Sequence, residues 1–196
     1  MTHADNAAQL PLDLNTLRQQ ARQHLDQGAV TADYPAHRLE VIAQLNTALA
    51  TELVCSLRYR YHHFMARGIH SQTVGQEFLV HANEELEHAD WLAERIVQLG
   101  GQPDFSPDTL LGRSHAEYVR GETLGDMIRE NLVAERIGID SYRHLIRSLQ
   151  DQDPTTRRLL ERILAVEEGH ADELADLLQQ VPPNLLPTPR PALLAQ

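Results

Sequence analysis

Glu85-Leu86-Glu87-His88 is the stretch on which the reading turns, and Glu167-Glu168-Gly169-His170 repeats its plan. Each places a Glu three residues before a His. Three residues of α-helix is about 300° of rotation, so the two side chains leave one face a turn apart. A carboxylate and an imidazole held this way can grip one metal ion. One such pair carries little information, because Glu and His are common on exposed helices. Here each pair is also preceded, in an apolar helical pattern, by a further Glu: Glu52 before the first and Glu135 before the second.

Working outward, the residues around these pairs read as four long helices. The first opens at Asp33-Tyr34-Pro35, with Pro35 at its first turn, carries Leu39, Ile42, Leu45, Leu49, Leu53 and Leu57 as its apolar stripe, and stops at Gly68. The second runs from about Ser71 to Leu99 and closes on Gly100-Gly101. Val74, Phe78, His81, Glu85, His88, Leu92 and Ile96 share one of its faces. Residues 100–121 are rich in Gly and Pro and read as a long crossover with a short turn of its own. The third helix runs from about Glu122 to Leu149 through Met127, Leu132, Glu135, Ile139 and Tyr142. The fourth runs from Pro154 to Gln180 and ends at Pro182-Pro183. Three parts are therefore expected: an arm over 1–34 with a short helix between Asp13 and Gln27, a four-helix bundle over 35–181, and a Pro-rich tail over 182–196.

A weak internal repeat supports this plan. Glu52 precedes Glu85 by 33 residues and Glu135 precedes Glu167 by 32, while Tyr59 and Tyr142 each follow the outer Glu by seven. Two hairpins facing each other about a pseudo-twofold axis would each supply one Glu and one Glu-x-x-His. That is the ligand set of a di-iron carboxylate bundle. Four carboxylates nearly offset two divalent cations, and an oxygen-rich set with two imidazoles and no thiolate suits iron, with manganese possible. Glu85 and Glu167 would bridge, Glu52 and Glu135 would be terminal, and His88 and His170 would each take one metal. Two ferrous ions so held can each give an electron to O2 or peroxide.

Neighbouring side chains have plainer readings as well. Tyr59, two turns from Glu52, is the candidate catalytic residue, able to hydrogen-bond a ligand or donate an electron, or else a satisfied core tyrosine. His81 is an extra ligand, an entry-site residue, or neither. Cys55 reads as a small buried residue. His62 and His63 are expected to face solvent or a subunit contact. Glu84, Glu87 and Glu168 are rival ligands on faces rotated by about 100°.

Composition excludes other classes. The net charge is −11, from 17 Lys+Arg against 28 Asp+Glu, which opposes a nucleic-acid surface. A single Cys permits no disulfide framework and fits a reducing cytoplasm. Met1 to Asp5 shows no charged and apolar leader pattern, and no run approaches the ~20 apolar residues of a membrane span.

The chain resembles the ferritin-like superfamily over about residues 36–178, most closely bacterioferritin and its Dps-like relatives. The segments that carry the resemblance are Asn46-Thr47-Ala48-Leu49-Ala50-Thr51-Glu52-Leu53, Glu85-Leu86-Glu87-His88-Ala89-Asp90, Asn131-Leu132-Val133-Ala134-Glu135 and Glu167-Glu168-Gly169-His170. The resemblance implies an all-α, ferritin-like four-helix bundle with one long crossover, a ferroxidase centre within each subunit and a hollow homo-oligomeric cage that stores ferric mineral and limits hydroxyl-radical formation. It also implies a Tyr beside the site, matched by Tyr59. Leu86 stands where bacterioferritin has its haem-ligating Met, so no haem is expected. The Pro-rich tail replaces the family's fifth helix and the extra helix is N-terminal, which favours 12 subunits over 24. Neither terminus is basic, so DNA is not expected as a partner. The alternative reading is a di-metal enzyme that stores nothing, such as a rubrerythrin-like peroxidase or a manganese catalase.

Overall fold

The computed structural model describes residues 13–34, 37–67 and 71–181. Among these the chain is all-α. α1 is Leu14–Gln20, followed by a single 3-10 turn at Leu25–Gln27. The four long helices are α2 (Arg38–Met65), α3 (Ser71–Gln98), α5 (Leu124–Leu149) and α6 (Pro154–Gln180), with a short α4 (Leu110–Arg113) inside the crossover.

Side-chain pairings give the directions. Glu52 meets Tyr142 and Tyr59 meets Glu135, so rising numbers on α2 meet falling numbers on α5. His81 meets Glu173 and Glu84 meets His170, so α3 and α6 are likewise antiparallel. α2 and α3 form one hairpin, joined by Ser56 Oγ donating to the Ala82 carbonyl at 2.6 Å, and α5 and α6 form the other. It follows that α3 and α5, consecutive long helices, run parallel, so the connection between them must travel the length of the bundle.

That crossover runs alongside α2, and α2 holds it by polar side chains. Asn46 Oδ1 accepts from the Asp104 amide at 2.7 Å, and Thr51 Oγ1 accepts from the His115 amide at 3.0 Å. Arg58 Nη1 donates to the Glu117 carbonyl at 2.8 Å, and His62 Nε2 lies 3.1 Å from the Val119 carbonyl. Arg58 Nε and His62 Nδ1 both meet Asn131 Oδ1, each at 3.0 Å, which ties this strap to α5. The turn into the crossover depends on its glycines. Gly100 has φ +74°, and a Cβ on Gly101 would sit 2.7 Å from Ile42 Cγ2.

The core is divided. One apolar cluster, including Leu45, Leu49, Leu92, Ile96, Tyr142, Leu145, Leu160 and Ile163, fills one end of the bundle. Another, including Tyr59, Phe78, Met127, Ile128 and Leu174, fills the other. Residues 52, 85–88, 135 and 167–170 fall between the two.

Several expectations need correction. α2 begins at Arg38, and Tyr34 lies in a preceding turn where its hydroxyl donates to Asp153. Leu39 and Leu57 are exposed and not on the packed face of α2; Val41, Leu45, Leu49, Glu52, Tyr59 and His62 are buried on it. His62 is fully buried, because the crossover covers it, and burial with the nearby Arg58 charge pushes its pKa down to about 4. The first helical segment stops at Gln20 and none of its residues is buried. Pro35, Gly68, Pro182 and Pro183 lie outside the described residues.

One carboxylate ties the start of α6 to α3 and to the turn that holds Tyr34. Asp153 caps the helix, accepting from the Thr156 amide at 3.0 Å ahead of Pro154. It also pairs with the buried Arg95 of α3 at 2.9 Å and receives the Tyr34 hydroxyl. Replacing Asp153 with Ala removes the cap and strands a buried guanidinium, so Asp153→Ala should cost about 3–5 kcal/mol in denaturant unfolding. Tyr34→Phe, which removes one hydroxyl, should cost only about 1 kcal/mol.

Candidate metal centre

Each of the four long helices contributes to the polar layer between the two apolar clusters. α2 brings Glu52, α3 brings Glu85 and His88, α5 brings Glu135, and α6 brings Glu167 and His170. None is more than 4% exposed. The structure therefore brings together all six side chains singled out by spacing. It does so in two overlapping groups, in each of which one ligand atom per residue lies within 4.8 Å of the others. Glu52, Glu85, His88 and Glu167 form one, and Glu85, Glu135, Glu167 and His170 form the other. Glu85 and Glu167 are common to both.

These atoms approach one another without bonding. His88 Nδ1 lies 2.9 Å from Glu167 Oε1 and 3.3 Å from Glu52 Oε2, and His170 Nδ1 lies 3.7 Å from Glu85 Oε1. Yet Glu52 Oε2, Glu85 Oε1, Glu167 Oε1, His88 Nδ1 and His170 Nδ1 all lack a hydrogen-bond partner among the described residues although they are buried. Buried polar groups are otherwise paired almost without exception. Five unpaired donor atoms converging on two shared positions fit a pair of divalent cations, and the oxygen-rich donor set with one imidazole per position suits iron or manganese.

Electrostatics point the same way. Burial, with the charges of Glu167, Glu135 and Glu52, pushes the Glu85 carboxyl well above the usual range. Glu167 is pushed well up by burial and by Glu52 and Glu135. Cations in place of protons would relieve both.

Two tyrosines cross between the hairpins. Tyr59 of α2 donates to Glu135 of α5, and Tyr142 of α5 donates to Glu52 of α2 at 2.5 Å. Burial and the adjacent carboxylates raise both hydroxyls well above 10, so each stays protonated and donates. Tyr59 thus reaches the opposite hairpin's Glu and not Glu52 on its own helix. Tyr142 was absent from the sequence-derived set, although its seven-residue offset from Glu135 mirrors that of Tyr59 from Glu52 and could have identified it.

The rival carboxylates fall elsewhere. Glu87 and Glu168 are exposed, the latter paired with Arg143 at 2.6 Å. Glu84 lies 2.8 Å from His170 Nε2, fixing that ring with Nδ1 toward the unpaired carboxylates. Cys55 is buried, and burial pushes its thiol up to about 12, which leaves it unreactive. Among the described residues no helix is long and apolar enough to cross a membrane.

Residues 42–182 match the Ferritin family, the ferritin-like domain. The bacterioferritin of Desulfovibrio desulfuricans is 28% identical over 134 residues, which is 68% of this chain and 71% of that protein. A nutrient stress-induced DNA-binding protein of a Nostoc species is 30% identical over 137 residues, covering 68% of this chain and 74% of its own length. Among solved structures, the bacterioferritin-related protein of Bacteroides fragilis, described as a dodecameric thioferritin, superposes with a TM-score of 0.70 at 30% identity, covering 73% of this chain and 86% of that one.

In the metal-free protein, a raised Glu85 lowers stability as pH rises. Below the ordinary carboxyl value of 4.5 both folded and unfolded chains carry the proton. Above it the unfolded chain loses the proton first, so stability falls until the folded group also titrates. Glu85→Gln escapes this loss. In chelator, Glu85→Gln should therefore be more stable than wild type at pH 7.5 by about 1 kcal/mol or more, and the difference should vanish toward pH 4 in urea melts.

Proposed function

Because the chain belongs to the ferritin-like domain family, we propose that it takes up Fe2+, oxidises it to Fe3+ with O2 or H2O2 between its four long helices, and holds the ferric product inside a cage of identical subunits. The observation that carries this reading is the set of buried, unpaired Glu and His atoms converging on two shared positions. Iron is substrate and cargo here. Each Fe2+ gives up one electron on oxidation.

The residues divide by position. Glu85 and Glu167, common to both groups, bridge the two iron positions. Glu52 and His88 complete one, and Glu135 and His170 the other. Tyr142 and Tyr59 hold the two terminal carboxylates from across the bundle, so neither swings away when a cation enters. Tyr59, one carboxylate away from an iron position, is also placed to supply an electron. Mn2+ would fit the same donors.

The cage rests on kinship and surface. The Bacteroides fragilis relative is dodecameric, and we take twelve subunits for this chain as well. Among the described residues large apolar side chains stay exposed, including Leu57, Phe64, Leu86 and Val133, as a subunit made for assembly would leave them. The DNA binding in the Nostoc relative's name is not carried over, because a chain of net charge −11 repels phosphate.

Glu85→Ala removes a bridging carboxylate. Stopped-flow oxidation of Fe2+ should slow by at least about 100-fold in this variant, with helical circular dichroism and particle mass unchanged. A wild-type oxidation rate in Glu85→Ala would overturn the assignment.

A further inference from the structure

A second set of donors lies outside the six-residue centre. His81 of α3 is 1% exposed and stacks on His170 with ring centroids 3.9 Å apart and planes 19° from parallel. Its Nε2 lies 3.0 Å from Glu173 Oε2 of α6 and 3.7 Å from Glu77 Oε1, one turn earlier on α3. Ligand atoms from the three residues all lie within 4.8 Å of one another. Donors bound at about 2.1 Å in a tetrahedral or octahedral shell sit about 3.0–3.5 Å apart, so this spacing needs only a small adjustment around an ion.

The hydrogen-bond directions argue that the cluster is more than an ion pair. Glu135 only accepts, so the Tyr59 hydroxyl donates its proton there. The Tyr59 oxygen, 3.2 Å from His81 Nδ1, can then only accept from that ring, and Nδ1 carries the proton. With Nδ1 engaged by Tyr59, Nε2 is the ring atom turned toward Glu173 and Glu77, the donor types that bind a divalent cation. His81 Nε2 and the two carboxylates thus converge on one point, beside a ring with almost no access to water. A cation answers all three. Glu77 and Glu173 are partly open to solvent, at 38% and 57% side-chain exposure, so an ion there can exchange.

We infer that Glu77, His81 and Glu173 form a third divalent-cation site, suited to first-row ions such as Fe2+, Mn2+ or Co2+, at the solvent side of the α3–α6 seam. It lies one imidazole away from the candidate centre, with His170 belonging to that centre and His81 to this site. An ion held here waits beside the position that His170 and Glu135 serve. The site stands on its own three residues and does not require that the inner positions oxidise iron.

Crystals of the full chain soaked anaerobically in CoCl2 and measured at the cobalt edge test this directly. An anomalous peak beside His81 Nε2, absent in a Glu77→Gln/Glu173→Gln double variant that binds about one Co2+ fewer per chain by equilibrium dialysis, supports the site. Both substitutions keep side-chain shape at solvent-open positions, so the fold is retained. No peak beside His81 in wild type, with cobalt at the inner pair, overturns the site and leaves the proposed function standing. A peak that survives in the double variant also overturns it. Cobalt beside His81 with the inner positions empty supports the site and removes the basis of the proposed function.

Discussion

Four carboxylates and two imidazoles are enclosed in the middle of this bundle, and the rest of the structure accommodates their burial. Like charges so close in a dry interior cannot all ionise without compensation. The burial is imposed by apolar packing on both sides, where the Leu45–Ile163 cluster and the Phe78–Leu174 cluster close the two ends. Antiparallel hairpins bring one Glu and one Glu-x-x-His from each half to the same level. The long crossover follows from that pairing, since it must return the chain to the end where α5 can run against α2.

The polar residues of α2 serve this arrangement in three ways. Glu52 enters the centre, Tyr59 crosses to fix Glu135, and Asn46, Thr51, Arg58 and His62 hold the crossover. α2 is thus enclosed by α3, α5 and the crossover, which explains why its sequence misled. An apolar stripe marks a packed face only where the opposite face meets water. With three sides covered, Arg58 and His62 are buried by hydrogen-bonding partners while Leu39 and Leu57 face outward.

Elsewhere the sequence was readable. On α3 the residues predicted to share a face, from Val74 through His81, Glu85 and His88 to Ile96, are all buried. The Pro154 start of α6 follows from Asp153 and its cap, a purely local signal. The i, i+3 spacing gathers Glu85 with His88 and Glu167 with His170 because helix geometry alone fixes it. What spacing could not supply was any contact across the bundle. The Tyr59–Glu135 and Tyr142–Glu52 bonds, the Glu84–His170 contact and the Arg95–Asp153 latch all join separate helices, and each depends on register between elements. The N-terminal helix shows the complementary limit: its periodicity marks Leu14 and Leu17 as a face, but both stay exposed among the described residues.

The claim at the centre of this account is that two iron positions inside each subunit feed a store within a cage. The direct measurement is to load purified protein anaerobically with increasing Fe2+ per chain, add O2 or H2O2, follow the ferric absorbance, and determine particle mass by light scattering on the same sample. The account predicts rapid oxidation that continues far beyond about two iron per chain, in a particle of about twelve subunits. Oxidation that stops at about two iron per chain in a small oligomer would contradict it.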